Sequence, residues 1–109
     1  MELNEYQAAA KKTAVYPNAG SNIIYPTLGL VGEAGETANK VKKILRDGGG
    51  KMSEEAREAI KEELGDILWY VSQLAVELST SFEEIASGNL EKLASRQERD
   101  VLGGSGDRR

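Results

Sequence analysis

The stretch SEEAREAIKEELGDILWYVSQLAVELS, residues 53–79, decides the fold. Its apolar residues recur at spacings of three and four, which is the period of one helix face. The residues with this spacing are Ile60, Leu64, Ile67, Leu68, Val71, Leu74, Ala75 and Leu78. Ser53 is a good N-cap residue, and the carboxylates of Glu54 and Glu55 suit the positive end of a helix dipole. We therefore predict a long central helix.

A second helix precedes the central one in the chain. It follows Pro26 and runs from about Thr27 to Arg46, where the triple glycine at residues 48–50 ends it. Its predicted buried stripe consists of Leu28, Val31, Ala38, Val41 and Leu45. This stripe gives the central helix an apolar partner.

Two further helices complete the prediction. One begins at Ser81, which has the capping-box spacing to Glu84, and continues to about Arg99. A shorter helix covers Leu3 to Ala14, and the glycine, proline and asparagine residues between positions 15 and 25 are typical of a loop. The predicted fold class is all-α, a bundle of four helices.

The length of the chain limits it to one small domain. Its 109 residues are close to the commonest domain size. We place the domain at residues 1–102, followed by a flexible, glycine-rich tail at residues 103–109. The chain has 18 acidic and 14 basic residues and a net charge of -4. It therefore lacks the excess of positive charge that binds the phosphate backbone of a nucleic acid, and we expect no nucleic acid partner.

The absence of two residue types limits the possible metal sites and catalytic groups further. The chain has no cysteine and no histidine, which excludes disulfides, thiolate metal sites, imidazole bases and the usual zinc sites. Any metal site must therefore use oxygen ligands. No apolar run approaches the roughly 20 residues that span a bilayer, and the start MELNEYQ does not resemble a secretory signal. We expect a cytoplasmic protein without a membrane partner.

Two pairs of acidic residues stand out from the general acidity. Glu33 and Glu36 are three residues apart on the second helix, and so are Glu63 and Asp66 on the central helix. A single pair of this kind is usually a solvated surface. If the two helices pack through their apolar faces, however, both pairs point into one groove, where four carboxylates repel one another unless cations neutralise them. Magnesium favours carboxylates together with substrate phosphates.

Glycines beside these acids favour a functional site over a solvated surface. Gly29, Gly32, Gly35 and Gly65 all fall within helical segments, where each costs about 1 kcal/mol relative to alanine. A marginally stable domain is not expected to carry this penalty without a compensating gain. Missing side chains let two helix backbones approach, or leave room for metal, water and phosphate.

Other polar residues are candidates for binding a ligand. Asn89 falls on the inward side of the last helix, where it is either a satisfied core amide or a donor to a metal-binding carboxylate or phosphate oxygen. Lys92 and Arg96 follow it and offer positive charge. Lys40 and Lys43 lie toward the end of the second helix, where we interpret them as solvated cations unless the groove extends that far.

The central helix carries Trp69, Tyr70 and Val76 outside its main apolar stripe. Three amphipathic helices give only a thin core at this chain length. A second apolar face on one helix therefore predicts pairing with another subunit.

The acidic pairs belong to two longer motifs. Leu28-Gly-Leu-Val-Gly-Glu-Ala-Gly-Glu36 and Glu62-Glu-Leu-Gly-Asp-Ile-Leu-Trp-Tyr70 closely resemble the two halves of the MazG signature, EExxE followed by ExxD. The segments Arg46–Gly50, Asn89–Leu93 and Gly104–Arg108 resemble those of short, single-domain MazG-like proteins from bacteria and phages. Gly32 stands where the first glutamate of EExxE is expected, so only Glu33 and Glu36 carry over from that half.

The resemblance implies a member of the all-α NTP pyrophosphatase superfamily that assembles as a dimer or a dimer of dimers. It implies hydrolysis of a nucleoside or deoxynucleoside triphosphate between the α and β phosphorus atoms, yielding the monophosphate and pyrophosphate. The metal ligands implied are Glu33, Glu36, Glu63 and Asp66, holding two or more Mg²⁺ ions, with Mn²⁺ as a substitute. The proton of the attacking water goes to Glu36 or Glu33.

The substrate then needs phosphate and base contacts. We assign the phosphates to Asn89 and Lys92, and the leaving pyrophosphate to Lys40 and Arg96. The aromatic residues available to stack a base are Tyr16, Tyr25 and Trp69. Two alternatives remain open, a phosphoribosyl-ATP pyrophosphohydrolase of histidine synthesis and a non-catalytic helical interaction module. A di-iron helical bundle is excluded because it needs histidine.

Overall fold

The computed structural model describes all 109 residues and contains four α-helices and no strand. The helices are α1 (Leu3–Lys11), α2 (Ile24–Asp47), α3 (Glu54–Glu77) and α4 (Phe82–Glu98). The all-α, four-helix prediction is confirmed. None of these helices combines the length and the apolar character that a membrane crossing requires.

The predicted central helix is α3. The Ser53 hydroxyl accepts a hydrogen bond from the backbone N–H of Ala56 at 3.1 Å, as expected of an N-cap. Its second half contains the three buried residues of the helix, Ser72, Gln73 and Ala75. The end of α3 is therefore the best-enclosed part of the protein.

The start of α2 lies three residues earlier than predicted, at Ile24. The side-chain oxygen of Asn22 accepts a hydrogen bond from the N–H of Tyr25 at 3.1 Å, which satisfies one of the free donors of the first turn. Pro26 sits in the same turn, where its missing N–H would have had no intrahelical partner. The proline therefore lies inside the helix start instead of preceding it.

Helices α2 and α3 form an antiparallel hairpin joined by residues 48–53. Gly29, near the start of α2, lies against the ring of Tyr70 in the second half of α3. Nearer the turn, Lys40 of α2 contacts Glu63 of α3. The antiparallel hairpin therefore places the acidic residues of α2 beside those of α3.

The helical glycines differ in what surrounds them. A Cβ atom on Gly29 would lie 2.1 Å from the Tyr70 ring, so this glycine permits a close approach of α2 and α3. The corresponding positions on Gly32, Gly35 and Gly65 have no atom within 4 Å. These three glycines border open space beside the acids.

The predicted buried stripe of α2 is wrong. Its members Leu28, Val31, Ala38, Val41 and Leu45 are all exposed, with 66% of Leu28 and 69% of Leu45 accessible. The face of α2 that meets α3 instead carries small and polar residues, among them Gly29 and Lys40. The apolar stripe therefore points away from the hairpin.

Much apolar surface remains uncovered. Only 7 of the 109 residues are buried, and the Cα radius of gyration is 16.8 Å, against about 13 Å for a closely packed domain of this length. Leu64 of α3 and Leu90 of α4 are 53% and 66% exposed. The four helices of one chain therefore enclose only part of the apolar surface that the sequence provides.

Helix α1 ends at Lys11, three residues before the predicted end at Ala14. It packs against α3 and against the start of α4. The side chain of Gln7 accepts a hydrogen bond from the N–H of Phe82 and donates one to the carbonyl of Thr80, both at 3.0 Å. Gln7 thereby ties α1 to the α3–α4 turn.

Helix α4 has the predicted N-cap. The Ser81 hydroxyl accepts a hydrogen bond from the N–H of Glu84 at 3.0 Å, whereas the Glu84 carboxylate bonds to the Thr80 hydroxyl, so only half of the capping box forms. At the other end, Arg96 is 6% exposed and donates to the backbone carbonyl of Asp107 at 2.6 Å. The C-terminal tail thus lies against α4; its flexibility stays a prediction.

Candidate active site

Three acidic side chains meet on one side of the α2–α3 hairpin. The ligand oxygens of Glu33, Glu63 and Asp66 all lie within 4.8 Å of one another. Glu63 and Asp66 are about one turn apart on α3, and the antiparallel packing places Glu33 of α2 opposite them. We call these three residues the acid cluster.

Glu36, the fourth predicted acid, is exposed and lies outside this group of oxygens. It follows Glu33 by about one turn of α2 and so borders the cluster. Its negative charge contributes to raising the pKa of Glu33, but it forms no ion pair of its own. Glu36 is therefore a free carboxylate at the edge of the site.

A shared hydrogen bond reduces the repulsion within the acid cluster. The bond between the Glu33 and Glu63 side chains, together with burial and the neighbouring negative charges, raises the pKa of Glu33 to about 7. The same bond lowers the pKa of Glu63, and the Lys40 ammonium, 3.3 Å from Glu63 Oε1, lowers it further. Glu63 is therefore the more readily ionised member of the pair, and Glu33 keeps its proton up to about neutral pH.

The acid cluster has the donor set for a hard divalent cation. Oxygen Oε2 of Glu63 is buried, and no N–H group or hydroxyl bonds to it, so it depends on the proton shared with Glu33 or on a bound cation. Three carboxylates from two rigid helices supply the ligand type that Mg²⁺ and Mn²⁺ prefer. Glu33, Glu63 and Asp66 therefore fit a divalent metal ion.

A cavity of about 340 Å³ opens beside the acids. It is lined by Glu33, Asp66, Trp69 and Tyr70. The two aromatic rings are 5.1 Å apart between centroids and meet edge to face. An aromatic surface of this kind can stack a planar heterocycle, so one cavity offers both charge-bearing oxygens and a stacking surface.

The aromatic wall continues into the loop before α2. Tyr25 stacks on Tyr16 with 4.6 Å between ring centroids, and Tyr16 meets Trp69 edge-on at 6.4 Å. We call Tyr16, Tyr25, Trp69 and Tyr70 the aromatic cluster. The sequence places Trp69 and Tyr70 on a face for subunit pairing, which stays a prediction. Within the protomer, Trp69 contacts Tyr16 and Tyr70 contacts Tyr25.

Glu77 holds this loop in place, and the sequence alone does not single it out. Its carboxylate accepts hydrogen bonds from the Tyr16 hydroxyl and from the backbone N–H groups of Gly20 at 2.8 Å and Asn22 at 3.0 Å. Gln73 donates to the Tyr16 hydroxyl at 2.9 Å. One signal points to this residue: an acid at the C-terminal end of a helix is unfavourable for the dipole and needs another reason.

These hydrogen bonds also shift the pKa values of Tyr16 and Glu77. Burial, followed by the hydrogen bond to Glu77, raises the pKa of Tyr16 to about 12. The Tyr16 hydrogen bond, with smaller contributions from the two backbone N–H groups, lowers the pKa of Glu77. Tyr16 is thus a neutral donor and Glu77 a stable anion, and Tyr16 acts here as a wall and anchor of the loop.

The candidates on α4 lie away from this cavity. Asn89 is exposed and forms no side-chain hydrogen bond, so its predicted inward position is wrong for the single chain. Helix α4 packs on the rest of the chain mainly through its first turn, at Phe82, which leaves its middle uncovered. Lys92 and Arg96 face the tail, with nitrogens 3.5 and 3.7 Å from the Asp107 carboxylate.

Fold and site together define an all-α protein with a carboxylate cluster suited to a divalent cation. A family model described as the MazG nucleotide pyrophosphohydrolase domain matches residues 26–100. The chain therefore belongs to the MazG family. The matched region contains α3, α4, nearly all of α2 and every acid of the cluster.

The chain is also similar to a phage protein. It is 51% identical over 114 aligned residues, covering 100% of both chains, to the Gene 37 protein of Mycobacterium phage L5. No solved structure matches the chain. The family assignment and the acid cluster agree in pointing to a nucleotide pyrophosphohydrolase.

Proposed function

We propose that this protein hydrolyses nucleoside or deoxynucleoside triphosphates with Mg²⁺, releasing the monophosphate and pyrophosphate, and thereby controls or sanitises the nucleotide pool. The observation that carries the proposal is the cavity shared by the acid cluster and two aromatic rings. A nucleotide has two parts that need these two surfaces, a planar base and a chain of anionic phosphates. Membership of the MazG family supports the same reaction.

The acid cluster is the metal site of this proposal. Glu33, Glu63 and Asp66 would hold Mg²⁺, with Mn²⁺ as a substitute, and Glu33 would have to be ionised to act as a ligand. A metal ion bound there neutralises phosphate charge and lowers the pKa of water. Lys40 stays paired with Glu63, which keeps that carboxylate ionised and correctly oriented.

Glu36 is the general base of the proposed reaction. It is exposed, borders the cluster and has no ion pair, so its carboxylate is available to take a proton. A water oxygen forms a bond to the α-phosphorus, and the bond from that phosphorus to the oxygen bridging to the β-phosphorus breaks. The water proton moves to Glu36, and the departing oxygen leaves as part of pyrophosphate.

The base stacks on Trp69 and Tyr70, the two rings that line the cavity. Tyr16 and Tyr25 support these rings from behind, and Glu77 fixes the loop that carries Tyr16. Glu77 is thus a positioning residue. In this arrangement Asn89, Lys92 and Arg96 of the same chain have no contact with the substrate.

We also infer that the protein is a homodimer or a dimer of dimers. The exposed apolar stripe of α2 and the small number of buried residues leave a single chain with little core, and a second copy offers a face of the same composition. Light scattering on the purified protein tests this. A mass corresponding to one chain at micromolar concentration would contradict it.

The reaction is tested by incubating the purified protein with Mg²⁺ and a panel of canonical and modified triphosphates. Phosphorus NMR of the products identifies the bond that breaks. We expect pyrophosphate; release of orthophosphate would refute the proposed cleavage. Phosphoribosyl-ATP belongs in the same panel, and its preferential hydrolysis would favour the histidine-synthesis alternative.

A matched pair of variants separates catalysis from folding. Glu63→Gln removes a metal ligand, and we expect activity to fall by about 10²-fold or more. Glu62→Gln, a change at the exposed neighbour of Glu63, is the control and should keep full activity. Unchanged hydrolysis in Glu63→Gln would contradict the metal-site hypothesis. If the wild-type protein hydrolyses no triphosphate at all, the helical interaction module is supported instead.

A further inference from the structure

A second, larger cavity lies at the turn between α2 and α3. Its volume is about 470 Å³. Its lining includes Lys40, Lys43, Asp47, Lys51, Ser53 and Ala59. Three lysines therefore face one cavity in a protein whose net charge is -4. We call Lys40, Lys43 and Lys51 the lysine pocket.

The positive charge of this pocket is not cancelled by its surroundings. Asp47 is the one acid in the lining, and Arg46 already binds both of its carboxylate oxygens at 2.8 Å. Lys43 and Lys51 form no ion pair anywhere in the structure. A pocket with two unpaired ammonium groups and a neutralised aspartate favours an anion.

The lysine pocket adjoins the acid cluster through Lys40. Lys40 belongs to its lining and also lies 3.3 Å from Glu63, so one residue borders both sites. Along α3, from its end toward its start, Trp69 and Asp66 line the cavity beside the acids, and Ala59 lines the lysine pocket. Asp66 and Ala59 are separated by about 10 Å of helix, a short distance for a chain of linked phosphates.

We propose that the lysine pocket is the subsite for the terminal two phosphates of the substrate, which leave as pyrophosphate. The inference rests on the proposed function and gives the substrate a direction: the base lies toward the end of α3, and the phosphate chain runs toward its start. Lys43 and Lys51 bind the β- and γ-phosphates, while Lys40 separates them from the Glu63 carboxylate. The groove thus extends to Lys43, which the sequence assigns to solvent unless the groove reaches that far.

Calorimetric titration of the full-length protein with inorganic pyrophosphate, in the presence of a metal chelator, tests the subsite without hydrolysis. We expect pyrophosphate to bind more tightly than orthophosphate. In Lys43→Ala/Lys51→Ala the Kd for pyrophosphate should rise about tenfold. The control Lys42→Ala/Lys61→Ala removes the same number of positive charges from α2 and α3 at positions outside the cavity lining, and its Kd should stay within about twofold of the wild-type value.

The outcomes separate this inference from the proposed function. If the wild type does not bind pyrophosphate, or if the two double variants lose affinity equally, the subsite is overturned, whatever the hydrolase activity. If pyrophosphate affinity falls only in Lys43→Ala/Lys51→Ala while no triphosphate is hydrolysed, the subsite stands and the proposed function fails. Where hydrolysis occurs, Lys43→Ala/Lys51→Ala should raise KM for triphosphates with little change in kcat.

Discussion

The two ends of the α2–α3 hairpin flank the same acid cluster and are built in opposite ways. At the aromatic end, Tyr16 is 7% exposed and its hydroxyl is fixed by Glu77 and Gln73. At the lysine end, Lys43 and Lys51 are exposed and form no ion pair. The aromatic end therefore presents a fixed surface, whereas the lysine end presents positive charge without fixed geometry.

This difference matches the two parts of the proposed substrate. A planar base gains affinity from a surface that is already in place, because ordering an aromatic wall on binding costs conformational entropy. A phosphate chain is flexible and highly charged, and it needs positive potential more than fixed geometry. Substitutions at the aromatic end should therefore affect stability and base preference, and substitutions of Lys43 and Lys51 should affect anion affinity with little effect on stability.

The largest effect is expected from Gly29→Ala at the aromatic end. The new Cβ would lie 2.1 Å from the Tyr70 ring, and relieving this overlap should cost about 3 kcal/mol of unfolding free energy. Urea denaturation at one protein concentration measures it. Gly88→Ala, at a helical glycine with nothing within 4 Å, is the control and should be neutral or stabilising. Equal stabilities of Gly29→Ala and wild type would show that the wall is not rigid.

Tyr16→Phe should have the next largest effect, about 2 kcal/mol at neutral pH, because it removes a hydrogen bond to an ionised carboxylate. The effect depends on pH with a defined sign. Since the pKa of folded Glu77 lies below its ordinary value of 4.5, the bond stabilises the protein above that value, and the stabilisation is lost as the pH falls through the folded pKa.

The measurement is the urea midpoint of wild type and Tyr16→Phe between neutral pH and about pH 3. The difference between the two proteins should shrink on acidification. Glu77→Gln provides the control, because it cannot titrate and this site should then add no acid dependence. A wild-type advantage that stays constant down to the lowest pH would contradict the assignment of Glu77 as the anchoring anion.

At the lysine end, Ser53→Ala should cost about 1 kcal/mol, the usual value of an N-cap. The loss comes from the hydrogen bond between the Ser53 hydroxyl and the N–H of Ala56. Ser105→Ala in the tail removes a hydroxyl without a bonding partner and should leave the denaturation curve unchanged. A stable Ser53→Ala variant would indicate that the start of α3 is held by other contacts.

The smallest effect on stability is expected from Lys43→Ala/Lys51→Ala, within about 0.5 kcal/mol of wild type. Neither lysine forms an ion pair, so nothing in the folded chain is lost. Thermal denaturation in low salt checks this. A clear gain in stability would indicate repulsion between the two ammonium groups, and a clear loss would place these lysines in structural contacts and weaken the contrast between the two ends.

The helices were predictable because their signals are local. The N-caps Ser53 and Ser81 and the three-to-four spacing of α3 depend only on neighbouring residues, and the structure has both caps. The start of α2 was misplaced because Pro26 is compatible with a first turn as well as with a preceding loop. The choice depends on the Asn22 side chain, which caps the turn.

The site was predictable in part. Spacing put Glu33, Glu63 and Asp66 on faces that the antiparallel hairpin brings together. The direction of the apolar stripe of α2 was not predictable, because the less exposed face of this helix mixes Leu30 and Ile44 with Gly29, Glu33 and Lys40, which departs from the usual apolar pattern. Glu77 was missed for a different reason: its partners Tyr16, Gly20 and Asn22 lie 55 to 61 residues away in the chain.

The six-residue connection between α2 and α3 also has a consequence for the order in which the protein folds. The acid cluster comes from two helices that are neighbours in the chain, so its formation closes only a short loop. The contacts of α1 with the start of α4, such as Gln7 with Phe82, join residues 75 positions apart. We expect the hairpin to form early and α1 to dock late, so the acid cluster is assembled before the chain is closed around it.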